Sequence, residues 1–468
     1  MQEGCRSAGT HACLPPACRR SRDRQVRACA PAFLLPGGIK DTMSLLIKNA
    51  TIVNADGISD GAQDILLDKG KIAKIGKSLR SDSAKVIDAD GKLAFPGLID
   101  IHVHFREPGR EDKETVETGS MAAAKGGFTT VMCMPNTCPV IDNAMLVEGI
   151  FEEAKRVGLT NVIPIGAITR GQRDEELVDM FELKEAGCLA LSDDGKSVNN
   201  SRMMRLAMEY AKMVDLLLIE HCQDHLLTSC GVMNEGYQST VLGLKGDPGV
   251  AEAVIIGRDI ELAHYLKTKV HIAHVSLKRS VELVRWAKAQ GIQVTAEACP
   301  HHFTLTDESV KSFNTNFKVN PPLRTAEDVA AIKEGLKDGT IDCIVTDHAP
   351  HTQEDKEVGF DNAPFGMIGL ETSVGLTITE LVDKKILSWP QMADRMSAAP
   401  ARIVGLKGKG VLAEGQDADV TLIDPNKEWV VRKEEIVSKS KNSPFIGRTL
   451  KGKVFVTIYN GKIVYRDA

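Results

Sequence analysis

His102-Val103-His104 sets two imidazoles two positions apart. On an extended strand, residues i and i+2 face the same side and can grip one ion. Asp194, His221, His274 and Asp347 each close, or nearly close, a further short apolar run. Four imidazoles and two carboxylates suit a borderline divalent cation such as Zn²⁺, and six protein ligands exceed what one tetrahedral catalytic ion takes. The set therefore predicts two metals. Bridged by a carboxylate, such ions lie about 3.5–4 Å apart and lower the pKa of a shared water toward about 7, giving a nucleophile for a carbonyl carbon. One histidine at a strand end is more often hydrogen-bonded than ligating, so the weight lies on the coincidence of all six. The other histidines read differently. His225 and His264 fall on helical stretches as structural residues, His271 starts a strand at the wrong end for the site, and His11 precedes the patterned chain. His301-His302 follow the seventh strand, where they either support the ligands from behind or take no part.

Six donors so far apart in sequence need a scaffold that gathers strand ends. From Ala94 onward, short β-branched or apolar runs at 97–104, 128–136, 161–169, 188–194, 216–221, 270–275, 293–299 and 343–347 read as strands. Between them, stretches such as 113–125, 145–157, 176–186, 250–267 and 280–290 repeat apolar residues at three and four, the helical period. Eight such units predict an α/β fold, a (β/α)8 TIM barrel over 94–399 with its site at the C-terminal strand ends. The flanks are strand-rich and punctuated by turns such as Asp56-Gly57, Asp90-Gly91 and Asn460-Gly461, the last inside a hairpin of 454–459 and 462–465. Neither flank alone buries a full sheet face, so 43–93 and 400–468 are expected to form one small β-sandwich from both chain ends.

Composition narrows the function classes. The 58 basic and 63 acidic residues leave a net charge of −5, with no basic stripe in the body, so nucleic acid is not an expected partner. No run of 18 apolar residues occurs, which excludes a helical membrane span. Eleven scattered cysteines without a CxxC pair fit reduced thiols in the cytoplasm better than a disulfide framework. Residues 1–42 hold four of those cysteines, with seven Lys/Arg against three acids, and lack a patterned apolar run before Leu34. They read as a disordered extension, either a transit segment or upstream chain that the fold does not use.

Several motifs together carry a resemblance. Asp100-Ile101-His102-Val103-His104-Phe105-Arg106-Glu107-Pro108-Gly109, Met134-Pro135-Asn136-Thr137, Leu191-Ser192-Asp193-Asp194-Gly195, Ala298-Cys299-Pro300-His301-His302, Lys318-Val319-Asn320-Pro321-Pro322-Leu323-Arg324 and Thr346-Asp347-His348-Ala349-Pro350-His351 resemble the dihydroorotases of the amidohydrolase superfamily, in their class I bacterial form. The likeness runs from about Met43 to Ala468. It implies zinc-dependent, reversible cyclisation of N-carbamoyl-L-aspartate to L-dihydroorotate in pyrimidine synthesis. It also implies that His102, His104 and Asp347 hold one Zn²⁺, His221 and His274 a second, and Asp194 bridges them. Spacing alone does not separate Asp194 from Asp193; the family motif prefers Asp194. Asp347 is then also the general acid/base, taking a proton from the hydroxide that attacks the ring amide and returning it to the leaving nitrogen. Arg106 offers a planar fork for the substrate carboxylate, with Asn136 and His351 completing the clamp, while Asn320 and the Phe365-Gly366 backbone meet the pyrimidine edge. His104, beside Arg106, belongs to the substrate contacts as well.

Two rival readings stand beside this one. Hydantoinases and allantoinases resemble the pattern in which a carboxylated lysine at strand four bridges the metals; here that strand ends in Ser-Asp-Asp-Gly, and Lys196 lies two residues further on. A silent scaffold for aspartate carbamoyltransferase would lack several ligands, whereas all six are present. A small-molecule substrate and a homo-oligomer are expected, with the transcarbamoylase as a possible added partner.

Overall fold

The computed structural model describes residues 44–467, so the expected disordered extension lies outside the described residues. All eight expected parallel strands form: Leu98–Val103, Phe128–Cys133, Asn161–Pro164, Ala190–Leu191, Leu217–Glu220, Val270–Ile272, Val294–Ala298 and Cys343–Ile344. The first three pair in chain order and so do the last five, every pair parallel. Parallel bridges Gly166↔Leu191 and Val103↔His348 join the two groups at both margins. Each strand stops one to five residues before its apolar run ends, so the site residues sit at or just past the ends of the hydrogen-bonded ladder. The chain turns outward there: Arg106, His274 and Asp347 all have positive φ, at 62°, 28° and 45°.

Alternation along the strands divides the apolar residues between two cores. Ile99 and Ile101, Met132 and Met134, and Leu217 and Ile219 pack together inside the strands, while Leu98, Val131, Val162 and Leu218 pack outward against the helices. Fully burying each such side chain contributes about 1.5–3 kcal/mol. The first helix, Val116–Gly126, starts at a capping box between Thr115 and Thr118 and ends at Gly127, whose φ of 90° needs a residue without a Cβ. The helices expected at 145–157, 250–267 and 280–290 form as Ala144–Val157, Val250–Leu266 and Lys278–Ala289. The one expected at 176–186 is shorter, Met180–Glu185. Residues 176–178 instead run beside 168–170, with Val178 N–H donating to Ile168 O and Arg170 N–H to Glu176 O, so the helix begins only after its Asp179 cap.

The flanks share one nine-stranded sheet. Its strand Leu45–Asn54 pairs along its first half with Gln63–Asp68 and Lys85–Asp88, and along its second half with Leu93–Pro96 and Gly57–Ile58. Leu93–Pro96 pairs in turn with Val420–Val430, which leads into the hairpin Thr449–Tyr459 and Lys462–Arg466 around Asn460-Gly461. Ile47, Ile65, Leu422 and Val456 are among the residues that close a separate buried core there. Hydroxyl donation from Thr421 to Gly127 O at 2.6 Å and from Thr457 to Ala124 O at 2.7 Å ties this sheet to the end of the first helix. Five cysteines, Cys133, Cys188, Cys222, Cys299 and Cys343, are buried and free. Cys138 and Cys230 are each disulfide-bonded, which departs from the expectation of reduced thiols. Among the described residues no helix is long and apolar enough to cross a membrane.

Candidate metal centre

The six expected donors converge. Asp194 lies at the middle: its Oδ1 is 3.3 Å from His102 Nε2, 3.4 Å from His221 Nδ1 and 3.2 Å from His274 Nε2, and its Oδ2 is 3.3 Å from His104 Nε2. Asp347 Oδ1 stands 3.0 Å from His104 Nε2 and 3.7 Å from His102 Nε2. All six are buried. Two overlapping groups, His102–His104–Asp347 and His102–Asp194–His274, have their donor atoms within 4.8 Å of one another.

The outer nitrogens explain why the inner ones face this point. His102 Nδ1–H donates to Glu297 Oε1 at 2.6 Å, His104 Nδ1–H to Asn136 Oδ1 at 2.8 Å, and His221 Nε2–H to Gln223 Oε1 at 3.3 Å. Each contact orients the ring so that its other nitrogen faces the cluster, the usual outer support of a metal-ligating histidine. His102 Nε2 is buried without a hydrogen-bond partner among the described residues, as a nitrogen shaped for an ion would be. The ladder register also shifts between Asp100 and Val103, where His102 sits, and such irregularities re-aim side chains beside active sites. The donor set therefore fits a divalent cation.

Electrostatics agree. Burial alone would raise the Asp194 carboxyl, but the charge of His102 and the close approach of His102, His221 and His274 hold it well below the usual range. Burial likewise opposes ionisation of Asp347, and the hydrogen bond from His104 with the charge of His102 overcomes it, keeping the carboxylate charged. Two buried carboxylates held ionised among imidazoles supply the anionic oxygens that a divalent cation takes, once the imidazoles give up their protons.

Asp193 and Asp194 separate cleanly. Asp193 turns away: its Oδ1 accepts the backbone N–H of Ile168 at 2.8 Å and of Thr169 at 3.1 Å, and its Oδ2 accepts the Thr169 hydroxyl. Lys196 Nζ donates to the Gln172 carbonyl at 3.1 Å and does not enter the cluster. Asp193→Ala is expected to lower stability by about 3 kcal/mol, since it strands three buried donors. It should leave bound metal unchanged, whereas Asp194→Ala should lose metal. Urea midpoints and metal content measured on both variants check this; metal loss from the Asp193 variant would reverse the assignment.

The expected substrate contacts rim the same mouth. Arg106 Nε donates to Pro350 O at 3.3 Å, its Nη2 lies 3.5 Å from His351 Nε2, and it forms no ion pair among the described residues. Burial pulls its pKa down to about 10, against the attraction of Asp347 and Asp194. His351 has both nitrogens engaged, Nε2–H donating to Phe365 O at 2.8 Å and Nδ1 accepting from Lys113 Nζ at 2.9 Å. Phe365 and Gly366 are thus held through His351, Lys113 and Lys356, whose Nζ donates to Gly366 O at 2.9 Å. Asn320 Nδ2 donates to Gln223 Oε1 at 2.9 Å and lies 3.2 Å from His221 Nε2. Sequence reasoning missed Glu297 and Gln223. The signal for Glu297 was an acid in the middle of the apolar run 293–299; for Gln223, nothing in the spacing marks it.

Residues 91–280 match the family model described as dihydro-orotase-like. The chain is similar to the dihydroorotase of Pelotomaculum thermopropionicum, 53% identical over 91% of this chain and 99% of that one. It is also 54% identical to the dihydroorotase of Endomicrobium trichonymphae, over 91% of this chain and all of that one. Among solved structures, the L-hydantoinase (dihydropyrimidinase) of Arthrobacter aurescens superposes with a TM-score of 0.82 at 26% identity, covering 91% of this chain and 96% of that one.

Proposed function

Because the chain belongs to the dihydroorotase family of the amidohydrolase superfamily, we propose that it interconverts N-carbamoyl-L-aspartate and L-dihydroorotate at the cluster around Asp194. One observation carries the reading: three histidines each have the outer nitrogen tied to a neighbouring side chain, and with His274 they turn four nitrogens toward the same two carboxylates. In this reading the eight parallel strands are a closed (β/α)8 barrel over 94–399. The nine-stranded sheet is a small sandwich formed by 43–93 and 400–468.

His102, His104 and Asp347 would hold one Zn²⁺ and His221 and His274 a second, with Asp194 available to both. Bound there, such ions would supply Lewis acidity, lowering the pKa of a water and polarising an amide carbonyl. Asp347, kept ionised by its surroundings, takes the proton of the attacking water and delivers it to the ring nitrogen as the C–N bond breaks; ring closure runs the same transfers backward. The Arg106 guanidinium, free of an ion-pair partner among the described residues, pairs with the substrate carboxylate. Asn136, whose carbonyl is already taken by His104, turns its amide N–H groups to the same carboxylate. His351 joins them by exchanging its bond to Phe365 O for one to the substrate, which leaves the Phe365-Gly366 backbone and Asn320 for the pyrimidine edge. The protein is then a cytoplasmic homo-oligomer, with aspartate carbamoyltransferase as a possible partner.

Hydantoin hydrolysis is the competing activity, and Asp194 in place of a bridging lysine disfavours it. Zinc-loaded protein should hydrolyse dihydroorotate in a spectrophotometric assay and act on unsubstituted hydantoin at least about a hundredfold more slowly, since that ring leaves Arg106 unpaired. Equal turnover of the two would sink the reading. Arg106→Lys should raise KM for dihydroorotate about tenfold or more with a smaller change in kcat, because an ammonium cannot make the planar two-point contact.

A further inference from the structure

The turn after the strand Val294–Ala298 carries donors that the proposed reaction leaves unused. Cys299, His301 and His302 are all buried, and one potential ligand atom from each lies within 4.8 Å of the other two. The two imidazoles stand 4.3 Å apart, centre to centre, at an interplanar angle of 60°. His302 Nε2–H donates to the Pro321 carbonyl at 3.0 Å, so its lone pair resides on Nδ1. That Nδ1 and His301 Nε2 are both buried without a hydrogen-bond partner among the described residues, and the Cys299 thiol is free.

Buried imidazole nitrogens are rarely left in this condition, and an ion is one of the few things that resolves it. The carbonyl bond on His302 is the outer support that orients a ligating histidine. A thiolate with two neutral imidazoles is the donor set of Zn²⁺ and related thiophilic ions, and three such ligands leave a fourth position open. Burial first, and then the charges of Asp347, Glu297, Asp100 and Asp194, push the Cys299 thiol well above its ordinary pKa, so it ionises there only against a bound cation. None of the three donors belongs to the six around Asp194.

We propose that Cys299, His301 and His302 form a further cation site, selective for thiophilic divalent ions of the Zn²⁺ and Cd²⁺ class, adjoining the centre around Asp194 but built from separate ligands. Binding forms one metal–sulfur and two metal–nitrogen bonds and releases the Cys299 thiol proton to solvent. The site does not depend on the reaction proposed above.

The test titrates the metal-free full chain with Cd²⁺ and follows the ultraviolet thiolate-to-Cd²⁺ charge-transfer absorption, with bound metal counted by atomic emission. The parent should bind one equivalent that brings this absorption, beyond those that bind without it. Cys299→Ser should lose that equivalent and the band while keeping the others and its dihydroorotate turnover. His302→Gln keeps the thiol and should weaken the band-forming step at least tenfold. No band in the parent, or a band unchanged in either variant, overturns the site. Turnover without the band would remove this inference alone, and the band without turnover would remove only the proposed function.

Discussion

Asp347→Asn is expected to lower dihydroorotate hydrolysis by roughly a thousandfold or more, the range of a lost general acid/base combined with a lost charged ligand. Asparagine keeps the size and shape of the side chain, so the Asp347 position, 3.0 Å from His104 Nε2, remains occupied. Its amide cannot take a proton, and its oxygen is a weaker donor to a cation than a carboxylate. Burial works against ionised Asp347, and the hydrogen bond from His104 with the charges of His102, His104 and His274 keeps the carboxylate in place. Because the net shift is downward, the folded state favours the charge, and the neutral variant should still fold, with a modestly lower melting temperature, while losing turnover. That combination, with folding followed by thermal melting and rate by ultraviolet absorbance, separates a chemical role from a structural one. A variant with the parent's rate would remove Asp347 from the reaction.

The positions of the donors were legible because one rule placed them all: residues at the ends of parallel strands share a mouth. His102, His104, Asp194, His221, His274 and Asp347 obey it even though the hydrogen-bonded ladders stop short, as at Ala190–Leu191 and Cys343–Ile344. Apolar runs mark burial, and burial continues past the last ladder bond into the turned segments where Arg106, His274 and Asp347 take positive φ. The choice between Asp193 and Asp194 was not legible, because adjacent residues face opposite ways and the facing depends on where the strand ends. Asp193 turns to the backbone of Ile168 and Thr169, a contact between segments that no periodicity reports. The late start of the helix at Met180 has the same origin, since residues 176–178 are drawn alongside 168–170 by cross-segment bonds. His271 was kept out of the ligand set, and its partner Glu297 could be recognised only once two strands stood side by side.

That partner carries the second large effect. Glu297 is fully buried, and both its oxygens are used: Oε1 accepts from His102 Nδ1 at 2.6 Å and from the His274 backbone N–H at 3.2 Å, while Oε2 accepts from His271 Nε2 at 3.0 Å. Burial would raise its pKa, yet the charge of His102 and the bonds from His102 and His271 bring it down to about 2. One carboxylate thus orients a donor from the first strand and the turn that bears a donor after the sixth. Glu297→Ala should weaken metal binding about a hundredfold, the upper range for losing the outer support of a ligating histidine, because His102 is then free to rotate. Glu297→Gln should lose only about tenfold. Its carbonyl can still accept from His102, and His271 can meet the new amide by switching tautomer, with Nδ1–H donating to Thr295 Oγ1, which already lies 2.7 Å away. The ordering of the two variants in a chelator competition distinguishes orientation from charge: equal large losses would assign the effect to the carboxylate's charge, and parental affinity in both would show that His102 needs no support from Glu297.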